Sequence, residues 1–409
     1  MNKILSLSLA ATLPLIYAHA AHAESLNDPA VAAEQSSGNA ASKNSSMAPT
    51  RFETVPQGED VQIGDTVSLT IKLLEKRYGD TLARRAVHPK DHGCVKAHFT
   101  VNLDIPEKYR VGVFATPGKT YEAWIRFSNA TGTVTPDVDP KKGANGRGMA
   151  IKLMGVEGDT LLGEQGAKTQ DFLLINQPMF AFPDVSEYLA ANQILFDNNE
   201  DLSKFFAPSP TQPSLSDERK KTLAIVQGIA ATQLANPLDA QYFSASPFLF
   251  GKDKVAKFSA KPRNPADPSL TPKDLSDNYL RMAMKKSLDL LSGQPAVFDF
   301  QVQLRPEGTE DDLKKSYPIE DASAKWEEKP GAPFQSVAVI TIDRQNFDYP
   351  LQVTECEHFV FTPWHGLAEH QPLGGINRLR LQVYIASSQH RAQPREPSGF
   401  PTTWPLWRF

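Results

Sequence analysis

Apolar residues recur at helical spacing in IGDTVSLTIKLLEKRYG, residues 63–79, with Asp65 or Thr66 as candidate cap. From Cys94 to Asn176 the period changes to two. VKAHFTVNL, TYEAWIRFSN, GRGMAIKLM and TQDFLLIN are short alternating or apolar runs set apart by turn residues, which predicts strands. DVSEYLAANQILF and DERKKTLAIVQGIAATQLA return to helical spacing, the second with an acidic start. Strands resume at FLFGKDKVAKFSAKP. A helix follows in TPKDLSDNYLRMAMKKSLDLLSG, where Thr271 and Asp274 form a capping-box-like pair around Pro272. AVFDFQVQLRP and QSVAVITIDR read as strands, and GGINRLRLQVYIASSQHR as the closing helix. The pattern predicts an α+β fold, with an antiparallel β-rich domain, helices packed around it and no internal repeat. The 32 prolines favour long irregular connections over compact βαβ units.

The two ends of the pattern set the organisation. MNKILSLSLAATLPLIYAHAAHAES has Lys3 as a short positive region, an apolar run from Ile4 to Tyr17 and AHA at Ala21–Ala23. This is the layout of a secretory signal cut after Ala23; the apolar run is short for a membrane span. The expectation is an exported chain, periplasmic in a Gram-negative cell, with no stable membrane anchor. Residues 24–53 are rich in Ser, Ala and Asn without periodicity and read as a flexible leader to a domain at 54–409. A net charge of −4 gives no sign of a nucleic-acid partner. Export permits Cys94 and Cys356 to bridge; two buried thiols fit the sequence equally well.

Motifs with defined chemistry are few. GANGRGMA lacks the glycine order and the strand–turn–helix setting of a phosphate loop and reads as a turn entering a strand. There is no G-x-S-x-G, H-E-x-x-H or P-loop, and the spacing of His358, His365 and His370 matches no standard metal site. On the closing helix, Arg380 precedes Tyr384 by four residues and Arg391 follows it by seven, which puts all three on one face. A phenol has a pKa near 10, and fixed positive charge beside it favours phenolate. Phenolate is a hard anionic ligand for ferric iron, and tyrosine is a known haem ligand. In LARRAVHPKDHG, His88 follows Arg85 by three residues. A histidine above a haem can take a proton from one peroxide oxygen and return it to the other.

These pieces resemble the haem catalase family, and in the family's order. The proximal R-x-x-x-Y appears as Arg380 and Tyr384, followed by QHR with His390 and Arg391 at matching offsets. The distal R-V-V-H-A-K appears as RAVHPK, the R-F-S strand as IRFSNATG, D-P-R-G-F-A-V-K as ANGRGMAIKL, and N-N-T-P-x-F as INQPMF followed by FPD. The resemblance spans roughly residues 60–395 and points to a small catalase-related peroxidase branch. It implies a catalase-like antiparallel β-barrel core with surrounding helices and a haem b cofactor. It further implies Tyr384 as iron ligand, Arg380 holding it as phenolate, His88 as distal acid–base and Ser128 orienting His88. Arg85, Arg126 and Arg391 would pair with the haem propionates, and Phe182 would pack near the haem. A buried dicarboxylate needs such cations, and arginine binds carboxylates bidentately.

One departure concerns the distal amide. With Pro178 aligned, the family's distal asparagine falls on Ile175, and Asn176 sits one position late. Asn176 is assigned as the catalytic amide on the expectation that a bulge brings it to the pocket; without one, the pocket lacks that donor and dismutates hydrogen peroxide less well. The chain is also short for the family's N-terminal arm and C-terminal helical domain, so a monomer or dimer is expected. The implied function is an exported haem peroxidase/catalase that consumes hydrogen peroxide or organic peroxides through a ferryl state, with an electron donor left open. Two alternatives are rearrangement of lipid hydroperoxides, which an apolar Ile175 would suit, and non-enzymatic haem binding, against which His88 and Ser128 argue.

Overall fold

A computed structural model describes residues 48–79, 81–139, 143–163, 168–208, 214–266 and 275–392. The expected signal peptide, residues 24–47 of the expected leader and the Thr271–Asp274 pair lie outside the described residues. The strands are β1 (Asp91–Val101), β2 (Thr120–Asn129), the short ribbon β3 (Val138–Asp139) and β4 (Gly143–Ala144), β5 (Arg147–Met154), β6 (Thr169–Ile175), β7 (Tyr242–Phe243), β8 (Phe248–Phe250), β9 (Lys254–Pro262), β10 (Ala296–Leu304) and β11 (Phe334–Ile342). Eight of them close into a barrel with neighbours β10–β11–β1–β2–β5–β6–β7–β9 and back to β10, every pair antiparallel. Among the described strands β8 pairs with β9, as a hairpin turned at Gly251, whose φ of 72° suits glycine, and Phe248 of β8 also bridges Pro372.

Alternation sends one set of residues inward from each strand: Val95, Ala97, Phe99 and Val101 from β1, Tyr121, Ala123, Ile125 and Phe127 from β2, and Met149, Ile151 and Leu153 from β5. Aromatic rings fill the centre, with Phe172 centred 4.7 Å from Phe300 and 4.9 Å from Phe258. His370 is wholly buried among these rings, and burial lowers its pKa to about 4. The barrel is therefore packed through rather than hollow, and room for a ligand lies outside its wall.

Helices cover that wall: α1 (Glu59–Tyr78), α2 (Val185–Asp197), α3 (Asp217–Ala231), α4 (Tyr279–Ser287), α5 (Glu310–Ser316), α6 (Pro350–His358) and α7 (Gly375–Ala392). Asp184 caps α2 and Ser216 caps α3 through side-chain oxygens that accept from Glu187 N and Arg219 N. α1 begins earlier than its expected cap at Asp65 or Thr66. Glu59 and Asp60 form an acidic first turn, and Thr66 lies inside the helix, its hydroxyl donating to the Gln62 carbonyl at 2.7 Å. Of the stretch 271–293 expected as helix, residues 271–274 lie outside the described residues; the rest is helical only over Tyr279–Ser287, with Leu288 as its C-cap and turns beyond it. Ile63 and Val67 of α1, Val185 and Tyr188 of α2 and Leu379, Val383 and Tyr384 of α7 share one apolar cluster.

Two cross-links fix this layer. Arg378 at the start of α7 binds Glu59 of α1 at 2.5 Å, Glu53 at 2.6 Å and Glu320 at 2.8 Å. Cys94 of β1 and Cys356 of α6 are joined by a disulfide, which settles the choice between a bridge and two thiols.

Candidate active site

Residues that alternation turns outward on β2, β5 and β6 form the floor of a cavity. The antiparallel register sets them in two rows, Ser128–Gly148–Ile175 and Arg126–Ala150–Leu173. The two middle positions, on β5, are the small residues Gly148 and Ala150. Above this floor stand Arg85 to His88, the segment Val360–Phe361 and one face of α7: Arg380, Tyr384, Ser387, Ser388 and Arg391. The space between them is about 700 Å³, counting the part that is open to solvent.

His88 is held in an uncommon backbone conformation, φ 57°, which a non-glycine residue keeps only when its surroundings fix it. Its N–H donates to the Thr131 carbonyl at 3.0 Å, and its own carbonyl accepts from Arg126 Nη1 at 2.9 Å. Its Nδ1 meets Ser128 Oγ at 2.9 Å. Gly148 makes this position possible: a Cβ there would lie 2.6 Å from His88 Cε1 and Nδ1 and 2.9 Å from Ser128 Oγ. Burial, then the charges of Arg126 and Arg380, lower the His88 pKa to about 3, so its imidazole is neutral at ordinary pH. A neutral imidazole is the form that can accept a proton.

On α7, Arg380 Nε donates to the Tyr384 phenol oxygen at 3.4 Å, and its Cζ lies 5.4 Å from the Tyr384 ring centroid. Its Nη1 donates to Asn377 Oδ1 at 3.1 Å, and buried Asn377 in turn donates to the Pro247 and Leu373 carbonyls at 3.0 Å. Ser387 Oγ accepts from Ala86 N at 3.1 Å, which ties the His88 segment to the helix that carries Tyr384.

Arg126 is 3% exposed, and its Nε and Nη2 have no hydrogen-bond partner among the described residues. Burial, then nearby Arg126 and Arg391, lower the pKa of Arg85 to about 9. Burial also lowers that of Arg391. Such a cluster calls for anionic charge.

The structure thus brings His88, Ser128, Arg85, Arg126, Arg380, Tyr384 and Arg391 to one cavity. It does not bring Asn176 and Phe182 there. The β5–β6 register runs unbroken to Gly148–Ile175, so the expected bulge is absent and Ile175 lines the cavity. Asn176 is engaged with Arg147: its Oδ1 accepts from Arg147 N at 2.7 Å and its N donates to Arg147 O at 3.0 Å. Phe182 packs instead against Tyr188, Phe205 and Phe180, with centroids 5.7, 5.9 and 6.3 Å away. Sequence reasoning missed Gly148, Ala150, Ser387 and Glu357. The small outward positions of GRGMAIKLM were the available signal for the first two. Glu357 pairs with Arg85 across 272 positions, and no local pattern marks it.

The architecture is the catalase fold. A fungal catalase superposes with TM-score 0.57 at 16% identity, covering 84% of this chain and 65% of that one. Catalase A from Saccharomyces cerevisiae gives 0.58 at 17% identity, covering 84% and 67%, and a bacterial catalase 0.55 at 16%, covering 86% and 64%. The chain thus spans about two thirds of the length of these structures. No protein-family model matches the chain, and no curated protein matches it in sequence.

The residues present fit a haem. A phenol and an imidazole line the same cavity, its floor rows place small and apolar residues at four of six positions, and a buried guanidinium has donors left for a carboxylate.

Proposed function

We propose that this protein is a haem-dependent enzyme that consumes peroxides, with Tyr384 as the iron ligand. The observation that carries the proposal is the Arg380–Tyr384 pair opening onto the same cavity as the His88–Ser128 pair. Bound haem would supply the redox chemistry. His88, neutral and oriented by Ser128, takes a proton from one peroxide oxygen and delivers it to the other. Arg380 sets its positive charge beside the Tyr384 oxygen. Ile175 presents an apolar side chain where an amide would orient peroxide, which supports peroxidase-type turnover with weaker dismutation. The apolar lining of Ile175, Leu173, Val360 and Phe361 also favours a second reading, action on lipid hydroperoxides. The Cys94–Cys356 bridge supports export to an oxidising compartment after cleavage near Ala23.

The test is reconstitution of the protein with hemin, followed by measurement of oxygen evolution and donor oxidation on adding hydrogen peroxide. Peroxide consumption that falls on the order of a hundredfold or more in His88→Ala is expected. Equal rates in the wild type and His88→Ala, or none in either, would exclude the role given to His88. Conversion of a lipid hydroperoxide to an epoxide or ketol without any donor would favour the second reading.

A further inference from the structure

Of the four arginines that line the cavity, Arg380 is set against Tyr384, and the other three differ in what already occupies them. Arg85 commits its guanidinium to the chain itself. Nη1 donates to Glu357 Oε2 at 2.7 Å. Nη2 points at the carbonyls of Phe359, Cys356 and Glu357, at 2.9, 3.1 and 3.3 Å. Those carbonyls belong to the end of α6 and the residue that caps it, where a helix leaves its oxygens without internal partners. A cation there also meets the negative end of the helix dipole. The same helix end is tied to β1 by the Cys94–Cys356 bridge, and the residues just beyond it, Val360 and Phe361, are cavity wall.

Arg126 is in the opposite condition. One terminal nitrogen holds the His88 carbonyl, while Nε and Nη2 are buried and unpartnered among the described residues. Glu357 Oε1 lies 3.8 Å from Nε, inside ion-pair range and too far for a hydrogen bond. Arg391 lines the same cavity within electrostatic reach of both Glu357 and Arg126. Pairing Arg85 with Glu357 cancels one charge of each sign. Arg380 also lines the cavity but is directed at the Tyr384 oxygen. With it set against that group, what remains is Arg126 and Arg391, two positive charges, which balance a ligand bearing two carboxylates.

We infer that Arg85 is a positioning residue that fixes the 356–361 wall, and that the carboxylates of a bound porphyrin are held by Arg126 and Arg391 without it. This assignment rests on the haem reading of the cavity. It departs from the equal role that family resemblance gives the three arginines.

The test compares two porphyrins on the apo form of the full chain: hemin, and hemin dimethyl ester, whose carboxylates are blocked. The Soret band reports binding, and the readout is the ratio of the two affinities. The wild type should prefer hemin. Arg126→Gln should reduce that preference about tenfold or more, the value of a charge-assisted hydrogen bond. Arg85→Gln should weaken both porphyrins together, keep the ratio within about twofold and lower the melting temperature, because it loosens a wall rather than removing a ligand contact. Collapse of the ratio in Arg85→Gln to the value of Arg126→Gln would overturn the inference. So would a wild type that binds hemin and its ester equally well. A wild type that binds neither would overturn the haem reading itself, and this assignment with it. If Arg85→Gln does not fold, a crystal structure of the hemin-loaded wild type decides. Arg85 still on Glu357 and the Phe359 carbonyl supports the assignment, and Arg85 on a porphyrin carboxylate refutes it.

Discussion

Gly148 sits where a Cβ would come within 2.6 Å of the His88 ring and 2.9 Å of Ser128 Oγ. Gly148→Ala should therefore displace His88 from Ser128 while leaving the barrel intact, since this position faces outward. Peroxide consumption by the reconstituted variant should fall on the order of a hundredfold, the usual cost of an ångström-scale misplacement, with an unchanged far-UV spectrum; full activity would show that His88 need not occupy its present place. Buried histidines make a second prediction. Burial is the main cause that lowers the pKa of His92 to about 3 and of His370 to about 4, below the unfolded value near 6.5. Below pH 6.5 the unfolded chain then binds more protons than the folded one, so stability falls as pH drops from about 6.5 toward about 4. Above 6.5 both states are neutral and these two groups add no pH dependence. Near pH 5 the difference approaches two protons, or about 2.5 kcal/mol per pH unit from this pair. Urea unfolding between pH 5 and 6 measures the slope; His88, lowered likewise to about 3, adds to it in the same direction, so His370→Gln should reduce the histidine contribution by about a third. At this scale the sequence was readable where side-chain period and chemistry coincided: Arg126 and Ser128 alternate outward on one strand, and Arg380, Tyr384 and Arg391 share a helix face. Asn176 was misplaced because one residue of offset reverses the face, and the register keeps no bulge to restore it.

Helix α7 carries the phenol, and its place depends on its first turn. Arg378 there joins Glu53, Glu59 and Glu320, and the Glu53 and Glu59 side chains are almost wholly buried. Removing the guanidinium strands two buried carboxylates, so Arg378→Met should destabilise the fold by about 3–5 kcal/mol in denaturant titration. A change below about 1 kcal/mol would mean that the apolar cluster of α1, α2 and α7 alone sets the helix. The main strands were legible because one face of each is core and the other is not, which writes a period of two into the sequence. Short elements escaped notice for a physical reason: β7 spans only Tyr242–Phe243, and α5 covers seven polar-rich residues, Glu310–Ser316, so neither completes enough periods to register. The early start of α1 was hidden too, because Glu59 is stabilised by Arg378, 319 positions away, rather than by any local cap.

At the scale of the whole molecule, a barrel packed with phenylalanine rings gives a rigid wall, and the ligand space forms between that wall and a helix rather than inside the barrel. This division explains why the family resemblance was legible at 16–17% identity to the structures that share the fold. The motifs lie on the outward rows and on one helix face, where chemistry constrains residue type, while the core needs only apolar volume and tolerates exchange. The charge balance around Arg85 was not legible, because it is set by Glu357 and by carbonyls brought in from the far end of the chain. The central claim is that Tyr384 binds the iron of a haem in this cavity. The most direct measurement is the absorption spectrum of the purified full chain after hemin reconstitution, beside that of Tyr384→Phe. A Soret band with high-spin ferric features that is lost or moved in Tyr384→Phe is the expected result. An identical spectrum in the two proteins, or no haem bound by either, would contradict it.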